Sequence, residues 1–111
     1  MATLSSQQVN RTGLNAAFAA AAGGGDEFAN TGLQFVAIKN TDAASRTVTF
    51  VTQTTVDGLA VADLAVVVAA GATFYVGPFK PTYYNDSGGK LQLTYSAVTN
   101  LSVAILELGS V

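Results

Sequence analysis

Reaction chemistry is carried by a few side-chain types, and two of the most useful are missing from this chain. It contains no histidine and no cysteine, which removes the commonest general base, the commonest activated nucleophile and the usual zinc ligands. Neither a Ser-His-Asp nor a Cys-His arrangement can be built. Carboxylates and tyrosines remain. Asp57 and Asp63 flank one loop, and Asp26, Glu27 and Asp86 lie in others. Calcium requires clustered oxygen ligands of the D-x-D-x-D-G kind, and glycoside cleavage requires two carboxylates at a set separation. The spacing here supports neither, so no metal, cofactor or enzymatic activity is expected. Tyr75, Tyr83, Tyr84 and Tyr95 could stack on sugars as a carbohydrate-binding module does, although tyrosines at strand positions more often pack within sheets.

Gly24 to Phe28 spells GGDEF, the signature string of diguanylate cyclases. Those domains are α/β, longer than this whole chain, and carry the motif on a hairpin well inside the domain. The string here is expected to be a Gly-rich turn in which Asp26 bonds to nearby backbone amides. Gly23 to Gly25 is no phosphate loop, because no Gly-Lys-Ser/Thr follows.

The elements that would position any site are strands. One hundred and eleven residues make one domain, able to bury roughly two thirds of the surface of its unfolded chain. Half of the residues are hydrophobic and only 11% are charged, against about 25% in an average soluble domain. Much of the outside must therefore be Thr, Ser, Asn, Gln, Ala and Gly, a surface suited to packing against other proteins. The net charge is −2 and the charges are scattered singly. No cationic stripe could neutralise a run of phosphates, so nucleic acid is not an expected partner. The lack of cysteine fits assembly in a reducing cytoplasm. No secretory signal is expected from the first residues, and the longest apolar stretch, around Leu64 to Ala72, is far short of a membrane span.

The block from Arg46 to Phe79 organises the rest. Residues 46–52 (RTVTFVT) alternate, with Val48 and Phe50 on one face and Thr47 and Thr49 on the other. Leu64 to Ala69 is expected to answer as a second strand and to form a hairpin with Thr73 to Val76 across Ala70-Gly71. Asp57-Gly58 marks a turn in the loop between. Leu33 to Asn40 reads as a central strand covered on both faces. Pro78 and Pro81 make Pro78 to Asp86 a loop whose Phe79, Tyr83 and Tyr84 pack on a sheet edge. After the turn at Ser87-Gly88-Gly89, Leu91 to Tyr95 alternates. Leu101 to Leu108 is the last strand, expected to bulge at Glu107. The expected common core is Phe35, Val48, Phe50, Val68, Phe74, Leu93 and Val103.

Residues 1–32 have a different texture, with Leu4, Val9, Leu14, Phe18 and Phe28 set singly among small and polar residues. Such a segment reads as an arm whose pegs sit in pockets of the domain or of a neighbouring subunit. Leu4, Val9, Leu14 and Phe18 are the expected partner contacts. Leu14 to Ala22 is compatible with a short helix stopped at Gly23 or with an extended arm. A chain shortened to begin near Phe28 is expected to keep its β core. The whole is an all-β, single-domain antiparallel β-sandwich, jelly-roll or Ig-like, of about seven strands. The arm spans 1–32 and the core 33–111.

The order of motifs adds a resemblance. Asn10-Arg11-Thr12-Gly13-Leu14, Gly25 to Asn30, Phe35 to Asn40, Val56-Asp57-Gly58-Leu59, Gly77-Pro78-Phe79 and Val98 to Ala104 together resemble small virion structural proteins of tailed bacteriophages. The resemblance runs over nearly the whole chain and implies a β-sandwich subunit of the head decoration or cement type. It implies binding to the outside of the major capsid protein lattice and to copies of itself, as a homo-oligomer such as a trimer. The expected location is the virion, after assembly in the bacterial cytoplasm. A head-tail connector or tail component is the alternative within that family.

Overall fold

In the computed structural model, which describes residues 1–108, the alternating segments form two sheets that face one another across a single core. The first is built around β6 (Arg46–Val51), which pairs antiparallel with β9 (Leu64–Val68) on one side and β11 (Lys90–Tyr95) on the other. β4 (Asp26–Ala29) lies antiparallel beyond β11, and β1 (Ala2–Leu4) adds to β4 in parallel. Val48, Phe50, Leu91 and Leu93 point inward and are fully buried, while the threonines and glutamine between them line the wet face. This is the period-2 pattern of a half-buried sheet.

The second sheet is centred on β5 (Gln34–Asn40), between β10 (Thr73–Val76) and β12 (Leu101–Leu108), both antiparallel to it. The outer side of β12 takes β2 (Ser6–Val9) in parallel and β3 (Ala19–Ala20) antiparallel. β5 is covered on both faces, as its apolar run requires. Val36 and Ile38 enter the main core, and Ala37 with the half-buried Phe35 joins a smaller cluster on the far face with Ala104 and Leu106. A small hairpin of β7 (Thr55–Val56) and β8 (Leu59–Ala60) turns at Asp57-Gly58, both at positive φ, as a two-residue turn of this kind demands. The molecule is a slab about 42 × 39 × 20 Å. Its short dimension is that of two sheets about 10 Å apart with side chains on their outer faces.

Seven strands, β4, β5, β6, β9, β10, β11 and β12, form the antiparallel sandwich, and the arm adds shorter pieces to its edges. The core begins earlier than residue 33: Ala21, Asp26 and Phe28 are buried and β4 is an interior strand. Residues 109–111 of the expected core lie outside the described residues. Leu14 to Ala22 forms no helix. Its Ala19–Ala20 section instead pairs with Ser102 and Val103, because an edge strand offers backbone partners that a nine-residue isolated helix lacks.

Three further expectations need correcting. β9 and β10 are joined by a tight turn, with Ala72 N–H donating to the Ala69 carbonyl, but they are not a hairpin. Val68 pairs with Arg46 in one sheet and Thr73 with Lys39 in the other, so the chain changes sheets at the turn. Asn40, 1% exposed, makes this possible by donating its side-chain amide to the carbonyls of Ala44, Val68 and Ala69 at 3.0–3.3 Å. Phe74 shares the inward face of its partner Ile38, yet among the described residues no strand lies beyond β10, and Phe74 is 37% exposed. Glu107 does not bulge. It stays in register opposite Gln34, where Ser6 Oγ and Gln34 Nε2 donate to its carboxylate at 3.2 and 3.1 Å.

The prolines exclude a strand as expected, and Pro81–Tyr84 becomes one helical turn, α1, with Pro81 supplying the fixed φ of a first helical residue. Phe79 is not at an edge. Its ring lies 4.6 Å from Phe50 in a stacked pair and meets Phe28 and Tyr84 edge-on, and it is 2% exposed. Asn30 and Asn85 tie this loop to the end of β4, each donating its amide to carbonyls of the other segment.

Candidate interaction surface

The carboxylates are spent on turns. Asp86 accepts from the Gly88 and Lys90 amides and from Gln92 Nε2, and Asp42 accepts from Ala44 N–H, Arg46 and Asn100. Both are held below the ordinary carboxylate range, Asp86 chiefly by the Gln92 amide and Asp42 chiefly by that of Asn100. Asp63 closes the base of the β7–β8 loop by accepting from Thr52, and Asp57 sits exposed at its tip. Among the described residues no group of three or more acidic side chains could hold a metal.

Asp26 of the GGDEF string is 1% exposed. Its Oδ2 accepts from Ala22 N–H, as expected of a bonded turn, and also from the Tyr95 hydroxyl, while Oδ1 has no partner. Burial first, and this bond second, push the Tyr95 phenol far above its usual range. The tyrosines form no shared platform through their ring contacts: Tyr75 packs on Phe35, Tyr84 on Phe79, and Tyr83 carries Lys80 over its ring.

The four expected contact residues are seated on the chain's own sandwich. Leu4 packs against the main core. Val9, Leu14 and Phe18 cover the Ala37–Ala104–Leu106 cluster on the outer face of the second sheet, and Lys39 Nζ lies 5.2 Å above the Phe18 ring. Each is half-buried. The arm is clamped at one point by Gln7, whose Nε2 donates to the Ala17 carbonyl at 2.7 Å while Ala17 N–H donates to its Oε1 at 2.8 Å. That reciprocal pair is what a neighbouring strand would supply.

Apolar side chains reach solvent elsewhere. Leu33, Tyr75 and Leu108 are 69%, 66% and 72% exposed, and with Phe35, Val76 and Pro78 they line an apolar groove of about 330 Å³ at one end of the second sheet. Leu59, 73% exposed, projects from the β7–β8 hairpin. Sequence reasoning missed this groove. Its only linear signals are the chargeless run from Leu64 to Phe79 and Leu33 standing just ahead of β5. The arrangement is an all-β sandwich that presents apolar side chains and an open strand edge at this surface. Compared with known proteins, the chain matches no family model, no curated protein and no solved structure.

Proposed function

We propose that this chain is a virion structural protein of a tailed bacteriophage, a head decoration protein that binds the outside of the major capsid lattice and associates with its own copies. The observation that carries the binding role is the exposure of Leu33, Leu59, Tyr75 and Leu108, each about two thirds or more in solvent, on a chain with only 11% charged residues. Leu33, Tyr75 and Leu108 line one groove, and large apolar side chains gathered in this way mark a contact site. The order of turn and strand motifs supports placing those contacts on a virion.

The test is cosedimentation of the purified protein with undecorated phage heads, followed by copy number per particle. Saturable binding in hundreds of copies is the expected result. A handful of copies would make the chain a connector or tail component, and no binding to any phage particle would end the reading.

A further inference from the structure

The arm shields one flank of the sandwich and leaves the other bare. β1 covers the outer edge of β4, and β2 and β3 together cover that of β12. On the opposite flank β9 ends one sheet and β10 ends the other, with no strand paired beyond either among the described residues. Open edges normally carry a lysine, a proline or a bulge that repels an incoming strand. β10 has none of these: its four residues pair with β5 in unbroken register, and no charged residue occurs from Leu64 to Phe79.

The ladder fixes which peptide groups are free. Asn40 N–H donates to the Ala72 carbonyl at 3.0 Å, and in an antiparallel pair successive residues direct their N–H and C=O alternately to one side and the other. Ala72, Phe74 and Val76 therefore face β5, while Thr73 and Tyr75 present theirs to the open side. A residue that presents both groups outward is its own complement. Two antiparallel copies with Tyr75 opposite Tyr75 exchange two hydrogen bonds, and the same register sets Phe74 opposite Val76 of the second copy. It also brings together the two apolar grooves that Tyr75 borders.

We infer that β10 is the contact between two copies of this chain, paired antiparallel about a two-fold axis centred on Tyr75. A strand is the partner whose backbone complements the free peptide groups, and an uncharged one fits best because β9 and β10 themselves carry no charged side chain to pair with a desolvated charge. The chain's own β10 meets both conditions. The interface requires only a second copy, so failure to bind phage heads would leave it standing.

A chain without cysteine allows a direct test. Hydrogen-bonded antiparallel pairs have Cα atoms about 5.5 Å apart, within disulfide reach. Under mild oxidation the Tyr75→Cys protein should become a covalent dimer, while Thr94→Cys, on the wet face of β11, should stay monomeric. In sedimentation across a concentration series the unmodified protein should form dimers. Tyr75→Lys, which sets two ammonium groups side by side, should weaken dimerisation by roughly tenfold or more, with its far-ultraviolet circular dichroism unchanged. Should Tyr75→Lys fail to fold, the cysteine pair still decides the matter. A monomer at every concentration, a trimer, or cross-linking of Tyr75→Cys no faster than of Thr94→Cys would overturn the proposal.

Discussion

Asn40, Asn30 and Asn85 use side-chain amides where a continuing strand would use backbone. At Asn40 the need is acute, because the chain leaves one sheet for the other between Val68 and Thr73 and the carbonyls at the crossing have lost their ladder partners. Replacing Asn40 with Ala leaves the buried Val68 carbonyl without its amide donor, at about 1–3 kcal/mol, and removes two further bonds to the Ala44 and Ala69 carbonyls. A loss of about 3 kcal/mol is expected from urea unfolding of Asn40→Ala, and a change within error would show that water replaces the amide without cost. Tyr95 gives a second prediction at this scale. Its raised phenol favours the protonated form in the folded state, so that contribution is intact below about pH 10 and fades as pH rises above it. Tyr95→Phe should therefore lose stability at neutral pH by about 1–3 kcal/mol, since it deprives the buried Asp26 of a donor. It should also show a shallower decline between pH 9 and 11 than the unmodified protein. Gly25 is fixed for a different reason. Its φ is +89°, and a Cβ there would sit 2.7 Å from the Leu93 carbonyl oxygen, so the second glycine of the GGDEF string serves close strand packing.

Elements whose faces are set by their own alternation were legible in the sequence. β6 and β11 show inward Val48, Phe50, Leu91 and Leu93, and the Asp57-Gly58 turn and both-faces burial of β5 follow the same local logic. Elements whose partner is chosen by tertiary contact were not. Nothing between Ala69 and Ala72 distinguishes a turn that closes a hairpin from one that switches sheets, because the deciding group, the Asn40 amide, lies far away in the chain. The arm is the same case: Ala19–Ala20 takes strand conformation from β12, not from its own helix propensity. Phe35 and Phe74 were placed by alternation alone, which assigns a face but not whether another layer covers it. Phe50 was placed correctly, and its stack on Phe79 makes Phe50→Ala a loss of roughly 3–5 kcal/mol in thermal or chemical unfolding. A neutral result would mean that the Phe79 loop closes over the cavity.

At the scale of the molecule, the arm decides how much edge and apolar face the sandwich exposes. Removing residues 1–18 strips β1 from β4 and β2 from β12, and it uncovers the Ala37–Ala104–Leu106 face by taking away Val9, Leu14 and Phe18. Each of these half-buried pegs contributes about 1 kcal/mol of apolar burial, half the value of full burial, beside the strand pairing that β1 and β2 make. Their removal is expected to destabilise the sandwich, lowering the melting temperature by roughly 4 °C for each kcal/mol lost. The shortened chain keeps Ala21, Asp26 and Phe28, so it should still give a β-rich circular dichroism spectrum. With open edges on both flanks it should also form larger species, growing with concentration in size-exclusion chromatography. A Leu14→Ser, Phe18→Ser double variant uncovers the same face but leaves β1 and β2 in place, and should lose stability without growing in size. If the shortened chain proves as soluble and as stable as the full one, the arm contributes nothing to its own sandwich. Leu4, Val9, Leu14 and Phe18 would then have to be placed against another subunit or the capsid, as their spacing alone suggests.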